Sequence, residues 1–210
     1  MKNYKKKIIT TTLLTLFPML IGFLLYSKLP DQLAIHFNFQ GTPDSFANKF
    51  WVICGLPCFL ALIHLIAIGI TLHDPKKSEI GQKMLSVIFY LIPVLSLFIL
   101  SMTYLFALDS SFNMVSGVMI LLGFLFLVLG NYLSKTHQNY TVGIRLPWTL
   151  NNRENWNQTH RFSSKLYMLG GLAIFINAFF RNTIFFFVVL AILLIVPCLY
   201  SFILYKRESQ

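Results

Sequence analysis

Six apolar runs divide the chain: Ile8–Tyr26, Phe50–Leu72, Met84–Leu108, Val115–Leu133, Leu166–Phe180 and Ile184–Tyr205. A membrane-crossing helix needs about 20 residues, and five of the runs meet that length by themselves. The fifth is short, so the pattern predicts that Phe162, Ser163 and Ser164 extend it inward. The Lys165 ammonium would then reach the headgroups along its aliphatic stem. Only Arg181-Asn182-Thr183 separates the fifth run from the sixth. Together they are too long for one helix, which predicts a tight hairpin. No run alternates with period two, so a transmembrane barrel does not fit. The expected architecture is an all-α integral membrane protein, a six-helix transmembrane bundle. The stretch before the first run (Met1, Lys2, Asn3, Tyr4, Lys5, Lys6, Lys7) looks like the basic start of a signal peptide. No small-x-small cleavage site follows, so the first run reads as a retained anchor.

Composition sharpens this picture. The chain is 56% apolar and 11% charged, where a soluble domain carries about 25% charged residues. A soluble enzyme, a disordered tail and a secreted disulfide scaffold are excluded at that balance. The net charge of +10 does not point to direct nucleic acid binding, because the bases sit in the gaps between apolar runs. With the N-terminus inside, the inner segments collect 14 Lys and Arg, and the outer ones hold Lys28, Lys49 and Arg181. That bias predicts both termini in the cytoplasm of a multi-pass membrane protein. Cys54 and Cys58 lie one helical turn apart, poor geometry for a disulfide, and read with Cys198 as packing residues.

No Asp, Glu, Lys or Arg falls clearly within a run, which argues against a proton- or ion-coupled transporter. His64 is the titratable side chain inside one. It is read as a neutral imidazole hydrogen-bonded to a neighbouring helix, with a ligand or proton acceptor as the sharper alternative. Pro18, Pro57, Pro93 and Pro197 predict local bends. Gly123 and Gly130 share a helix face and suit close helix contact.

Two connecting segments carry the candidate chemistry. In the outer loop 27–49, Ile35, Phe37 and Phe39 alternate with His36, Asn38 and Gln40. This predicts a short strand with its apolar face packed and its polar face free. Gln40-Gly41-Thr42-Pro43-Asp44 is turn chemistry. The loop is expected to fold as a small extracellular cap. It serves either as a surface facing an extracellular ligand through His36, Asn38, Gly41 and Asp44, or as a structural cap whose side chains satisfy their own turns. In the inner loop 134–165, Asn151 or Asn152 is placed to cap a helix with Glu154 in its first turn. That predicts a cytoplasmic interfacial helix leading into the fifth span. On it Trp156 and His160 share one face, and Arg153, Asn157 and Arg161 another. Tyr140, Trp148, Trp156 and Tyr167 are expected as anchors in the headgroup zone. The loop reads either as a lipid-headgroup anchor or as a docking platform for a cytoplasmic protein. It holds His137, His160 and Glu154 but no nucleophile–base–acid set and no metal-ligand spacing. Neither an enzyme nor a metal or other cofactor is therefore predicted. Asn139-Tyr140-Thr141 and Asn157-Gln158-Thr159 match the glycosylation triplet but fall on the predicted inner side.

Asn139-Tyr-Thr-Val-Gly143-Ile-Arg145-Leu-Pro147-Trp148-Thr149-Leu150, followed by Trp156, Thr159, His160, Arg161, Lys165 and Gly170-Gly171, resembles the signature of the SdpI family of bacterial membrane proteins. Leu29 to Asp44 resembles the uncharacterised module that commonly precedes it. The resemblance implies two modules. Residues 1–72 would hold two spans and the outer loop, and residues 73–210 four spans and the inner loop. It also implies function: the family's namesake protects a producing cell against its own secreted peptide toxin, and holds a cytoplasmic transcriptional repressor at the membrane when toxin is present. Carried onto this chain, the implied partners are the lipid bilayer, an extracellular peptide toxin and a cytoplasmic repressor; the predicted side of the membrane, not a feature of the family, assigns the toxin to His36, Asn38, Gly41 and Asp44 and the repressor to Gly143, Arg145, Pro147, Trp148, Thr149, Trp156, His160 and Arg161. The alternative function is a small transporter or peptide exporter.

Overall fold

The computed structural model describes residues 4–208. Met1, Lys2 and Asn3 of the basic N-terminal stretch lie outside the described residues. Six helices among those described are long and apolar enough to cross a membrane. They are α1 (Lys5–Leu24), a composite of a π-helical turn (Trp51–Gly55) with α2 (Leu56–Leu72), α3 (Gln82–Leu108), α4 (Met114–Leu133), α6 (Arg153–Phe180) and α7 (Thr183–Glu208); α5 (Pro147–Asn151) is a single turn before α6. The strands β1 (Gln32–Phe37) and β2 (Pro43–Asn48) form an antiparallel hairpin. Apart from this hairpin the protein is built of helices, six of them membrane spans among the described residues.

The helices outrun the apolar runs at their polar ends, because Lys and Gln are good helix formers that extend a span into the headgroup zone at little cost. The wide turn at Trp51–Gly55 sits just before Pro57. A proline has no N–H to give the carbonyl four residues back, and a π-turn is one way of absorbing that fault. The expected hairpin between the last two spans is present: Arg181 adopts a left-handed conformation (φ 57°) and its N–H closes on the Asn177 carbonyl at 2.7 Å.

Contacts gather the chain into two compact units that do not follow chain order. The first joins residues 1–72 to 86–117, and the second joins 73–85 to 118–210. Most of α3 groups with the N-terminal pair of spans, where the resemblance implies modules of residues 1–72 and 73–210.

In the first unit, α1 buries Thr11, Thr15, Pro18 and Gly22, positions one turn apart on one face. That face is polar yet satisfied. His64 Nε2 lies 2.9 Å from the Thr11 hydroxyl, which itself donates to the Lys7 carbonyl. Ser96 donates to the Thr15 carbonyl at 2.8 Å, and Tyr104 to that of Pro18. The expected interhelical bond of His64 is thus present; its Nδ1 has no partner. The hairpin is seated on the same unit, with Leu29 and Leu33 joining Val52, Ile53, Leu100 and Tyr104 in one apolar cluster.

In the second unit, α4 and α6 meet backbone to backbone. A Cβ added at Gly171 would come 2.8 Å from the Gly123 carbonyl oxygen, and one at Gly130 2.9 Å from that of Ser164. The close contact read from Gly123 and Gly130 is therefore present. The three cysteines are free thiols.

Candidate functional site

The inner loop folds as a polar knot with its side chains turned inward. Asn139 is fully buried: its side-chain oxygen accepts from the Thr141 and Val142 amides, and its NH2 donates to the His137 and Val142 carbonyls. Gln138 donates to the carbonyls of Thr149 and Leu150, which ties the start of the loop to α5. Thr149 accepts from the Leu146 amide at 2.9 Å and donates to the Ile144 carbonyl at 2.7 Å. Such reciprocal bonding at a helix start satisfies amides that the helix itself leaves open.

Trp156 and His160, one turn apart on α6, stack with ring centroids 3.9 Å apart. The Trp156 indole donates to the Thr136 carbonyl at 2.9 Å. His160 Nε2 accepts from the Ile144 amide at 3.0 Å, which puts its proton on Nδ1, and Nδ1 donates to the Trp156 carbonyl at 2.8 Å. Gly143 lies against both rings. Its φ is 126°, and a Cβ there would stand 2.3 Å from His160 Nε2. The Trp148 indole donates to Ser201 on α7 at 3.0 Å, and its ring stacks on Tyr205. Asn155 donates to the Ser201 carbonyl.

The eight inner residues singled out from the sequence thus divide. Thr149, Trp156 and His160 are buried, and Gly143 and Trp148 are half-buried; these five shape the loop. Arg145, Pro147 and Arg161 are exposed. The expected headgroup role of Trp156 is corrected: it is fully buried, because its indole N–H and both faces find partners inside the protein. Tyr140 stays 48% exposed. Both nitrogens of His160 are committed to the backbone, so it has no lone pair free for a substrate. Among the described residues, no three His, Cys, Asp or Glu gather to hold a metal ion.

Sequence reasoning missed the residue that ties the knot down. Asp74, just after α2, is buried and accepts from the Lys76 amide through one oxygen, and from the Tyr140 amide and Thr141 hydroxyl through the other. A lone Asp-Pro before two lysines reads as turn chemistry; nothing in its spacing ties it to residues 66 or 67 positions away. Asn155 and Ser201 were missed for the same reason.

The expected capping side chain is present: Asn152 accepts from the amides of Glu154 and Asn155. The helix it starts is continuous with the fifth span, not a separate interfacial piece. Its 28 residues measure about 42 Å at 1.5 Å per residue, against about 30 Å of hydrocarbon. Roughly two turns, carrying Arg153, Trp156 and His160, therefore exceed what one crossing needs.

The outer hairpin departs from its expected pattern. Leu33 and Ala34 are buried, whereas Ile35 is 51% and Phe39 72% exposed. Register shifts between Ala34, His36 and Phe37 break the alternation, since a bulge reverses the side on which later residues point. Phe37 packs edge-on against Phe106. Asn38 is consumed by the turn: its side-chain oxygen accepts from the amides of Gln40 and Thr42 and from the Thr42 hydroxyl. Gly41 holds the turn at φ 81°. His36 Nδ1 and Asp44 Oδ1 lie 2.5 Å apart, both exposed. Of the four outer residues, then, two build the turn and two present a pair to solvent.

Six long apolar helices, with a small hairpin and a polar loop between them, define a multi-pass helical membrane protein. Residues 135–201 match the model of the SdpI/YfhL protein family, and residues 13–61 match a domain of unknown function, DUF1648. The chain is 25% identical over 209 residues to the Immunity protein SdpI of Bacillus subtilis (strain 168), covering 96% of this chain and 97% of that one. No solved structure matches the chain.

Proposed function

We propose that the chain is a non-enzymatic immunity protein that protects its cell against a secreted antimicrobial peptide toxin. The observation that carries this reading is the similarity to an immunity protein along nearly the whole length of both chains, including the hairpin and the inner loop together. The outer hairpin supports it. On the orientation that the charge bias predicts, the hairpin offers the medium an exposed His36–Asp44 pair beside exposed Ile35, Phe39 and Phe46, a mixed surface suited to an amphipathic peptide. The same protein acts as a receptor that holds a cytoplasmic repressor when toxin is present, through the exposed Arg145, Pro147 and Arg161. The inner knot keeps those three in place, so that a partner meets a preformed surface.

The test is expression in a sensitive strain challenged with the peptide secreted by cells that carry this gene. Survival should rise at least tenfold. Phe39→Ser with His36→Ala should remove protection at unchanged membrane abundance, while Arg145→Ala should keep protection and lose induction of a repressor-controlled reporter. Equal killing with and without the protein would refute the immunity reading.

A further inference from the structure

The α6–α7 hairpin carries a feature separate from the outer hairpin and the inner loop. Near its tip an open groove of about 480 Å³ is lined by Ala173, Ile176, Asn177, Phe180, Asn182 and Phe185. That volume falls within the range of ligand sites, roughly 300–1,000 Å³. Its lining is almost entirely apolar. The amide of Asn177 is already bonded, to the Asn182 carbonyl at 2.8 Å and towards Met119 sulfur, and the side-chain oxygen of Asn182 caps the Phe185 amide. The groove therefore asks for a hydrocarbon occupant, and it lies on two helices long and apolar enough to cross a membrane.

The end of the groove has the opposite character. Arg181 is exposed in the turn that joins the two helices. The first turn of α7 brings the positive end of its dipole to this tip and the last turn of α6 the negative end of its own, so the net charge there is that of the guanidinium. The sequence holds no Asp or Glu between Glu154 and Glu208, so neither helix supplies an anion to this tip. Arg181 is also costly where it stands. It occupies the left-handed position that glycine fills most easily, at about 1 kcal/mol less strain. It is also one of three bases on the side that the charge bias predicts to be outside. Lys49, another of the three, is already paired with Asp31 at 3.0 Å.

We infer that the tip of this hairpin is a binding site for an anionic glycerophospholipid, one acyl chain lying in the Ala173–Phe185 groove and the phosphate on Arg181. Arg181 stands in the chain between Phe180 and Asn182, both of which line the groove, so a cation adjoins an apolar channel. A single amphipathic molecule with an anion at one end and hydrocarbon at the other satisfies both parts, and the bilayer supplies it at high local concentration. Arginine suits this role better than lysine because its fork meets phosphate with two parallel bonds.

Native mass spectrometry of the full-length protein in detergent tests it, with phosphatidylglycerol and phosphatidylcholine of matched chains added in equal amounts. Wild type should retain phosphatidylglycerol at least fivefold over phosphatidylcholine. Arg181→Gly keeps the turn, since glycine favours that φ, and should bring the ratio to about one; Arg181→Lys should retain part of the preference. Ala173→Trp fills the groove and should lower retention of both lipids. Equal retention of the two lipids by wild type, or an Arg181→Gly ratio equal to wild type, would overturn the inference. So would an Ala173→Trp variant that dissociates a dimer while holding lipid as before, because a second copy would then fill the groove.

Discussion

Replacing Asp74 by Asn tests whether the inner loop is held from outside its own sequence. The carboxylate accepts three bonds, one on Oδ1 from the Lys76 amide and two on Oδ2 from Tyr140 and Thr141. An asparagine of the same shape has a single accepting atom. In its better orientation the oxygen keeps Tyr140 and Thr141, and the NH2 faces the Lys76 N–H, donor against donor. At least one bond to a charged acceptor is lost, worth about 1.5–3 kcal/mol, and the two that remain become weaker neutral ones. The expected cost is about 2–3 kcal/mol, concentrated where Asp74 meets the loop. Every 1.4 kcal/mol is a factor of ten, so amide exchange at Tyr140 should speed up roughly 30- to 150-fold. Exchange in the middle of α4 and α7 should stay unchanged. Hydrogen–deuterium exchange read by mass spectrometry on detergent-solubilised protein gives both numbers. Thr141→Val, which removes one of the three donors, should give a smaller effect that does not add fully to Asp74→Asn. Tyr140 exchange within threefold of wild type in Asp74→Asn would refute the account of Asp74 as the anchor of the loop.

Gly143→Ala should lower stability by about 2–4 kcal/mol, through a disfavoured φ and loss of the Ile144–His160 bond; a thermal melt in detergent unchanged from wild type would contradict the packing described. Trp148→Phe keeps the stacking on Tyr205 and loses the bond to Ser201, so a loss of about 1 kcal/mol is expected. Ser201→Ala should cost a similar amount, with the double variant no worse than either alone. Cysteine placed at Phe39 in a chain cleared of Cys54, Cys58 and Cys198 should react in intact cells with an impermeant maleimide, and cysteine placed at Pro147 should react only after lysis. The reverse result would invert the orientation that the charge bias predicts.

Much of the architecture is written locally. Six spans could be read because lipid forces each crossing segment to satisfy its own backbone bonds, so a long apolar run has one outcome. The Arg181-Asn182-Thr183 turn was legible for the same reason, since the apolar residues around it are too many for a single crossing. Asn152 as a helix cap and Gly123 and Gly130 as a contact face followed from side chains acting within a turn or two of themselves. The outer strand was legible as a strand, but its faces were not. A bulge shifts the alternation by one residue, and it arises from pairing with β2, not from any pattern within β1.

What the tertiary structure decided is the meaning of the signature residues. Trp156, His160 and Thr149 look from the sequence like groups offered to a partner, and folding turns them inward. The reason is that a buried polar loop must pair nearly every donor and acceptor it owns, and the partners it finds are remote in the chain: Asp74 before it, Ser201 after it. Sequence order carries no distance information across such gaps. The pattern of residues thus determined how many times the chain crosses the membrane, whereas three-dimensional packing determined which side chains hold the loop together and left Arg145, Pro147 and Arg161 on its surface.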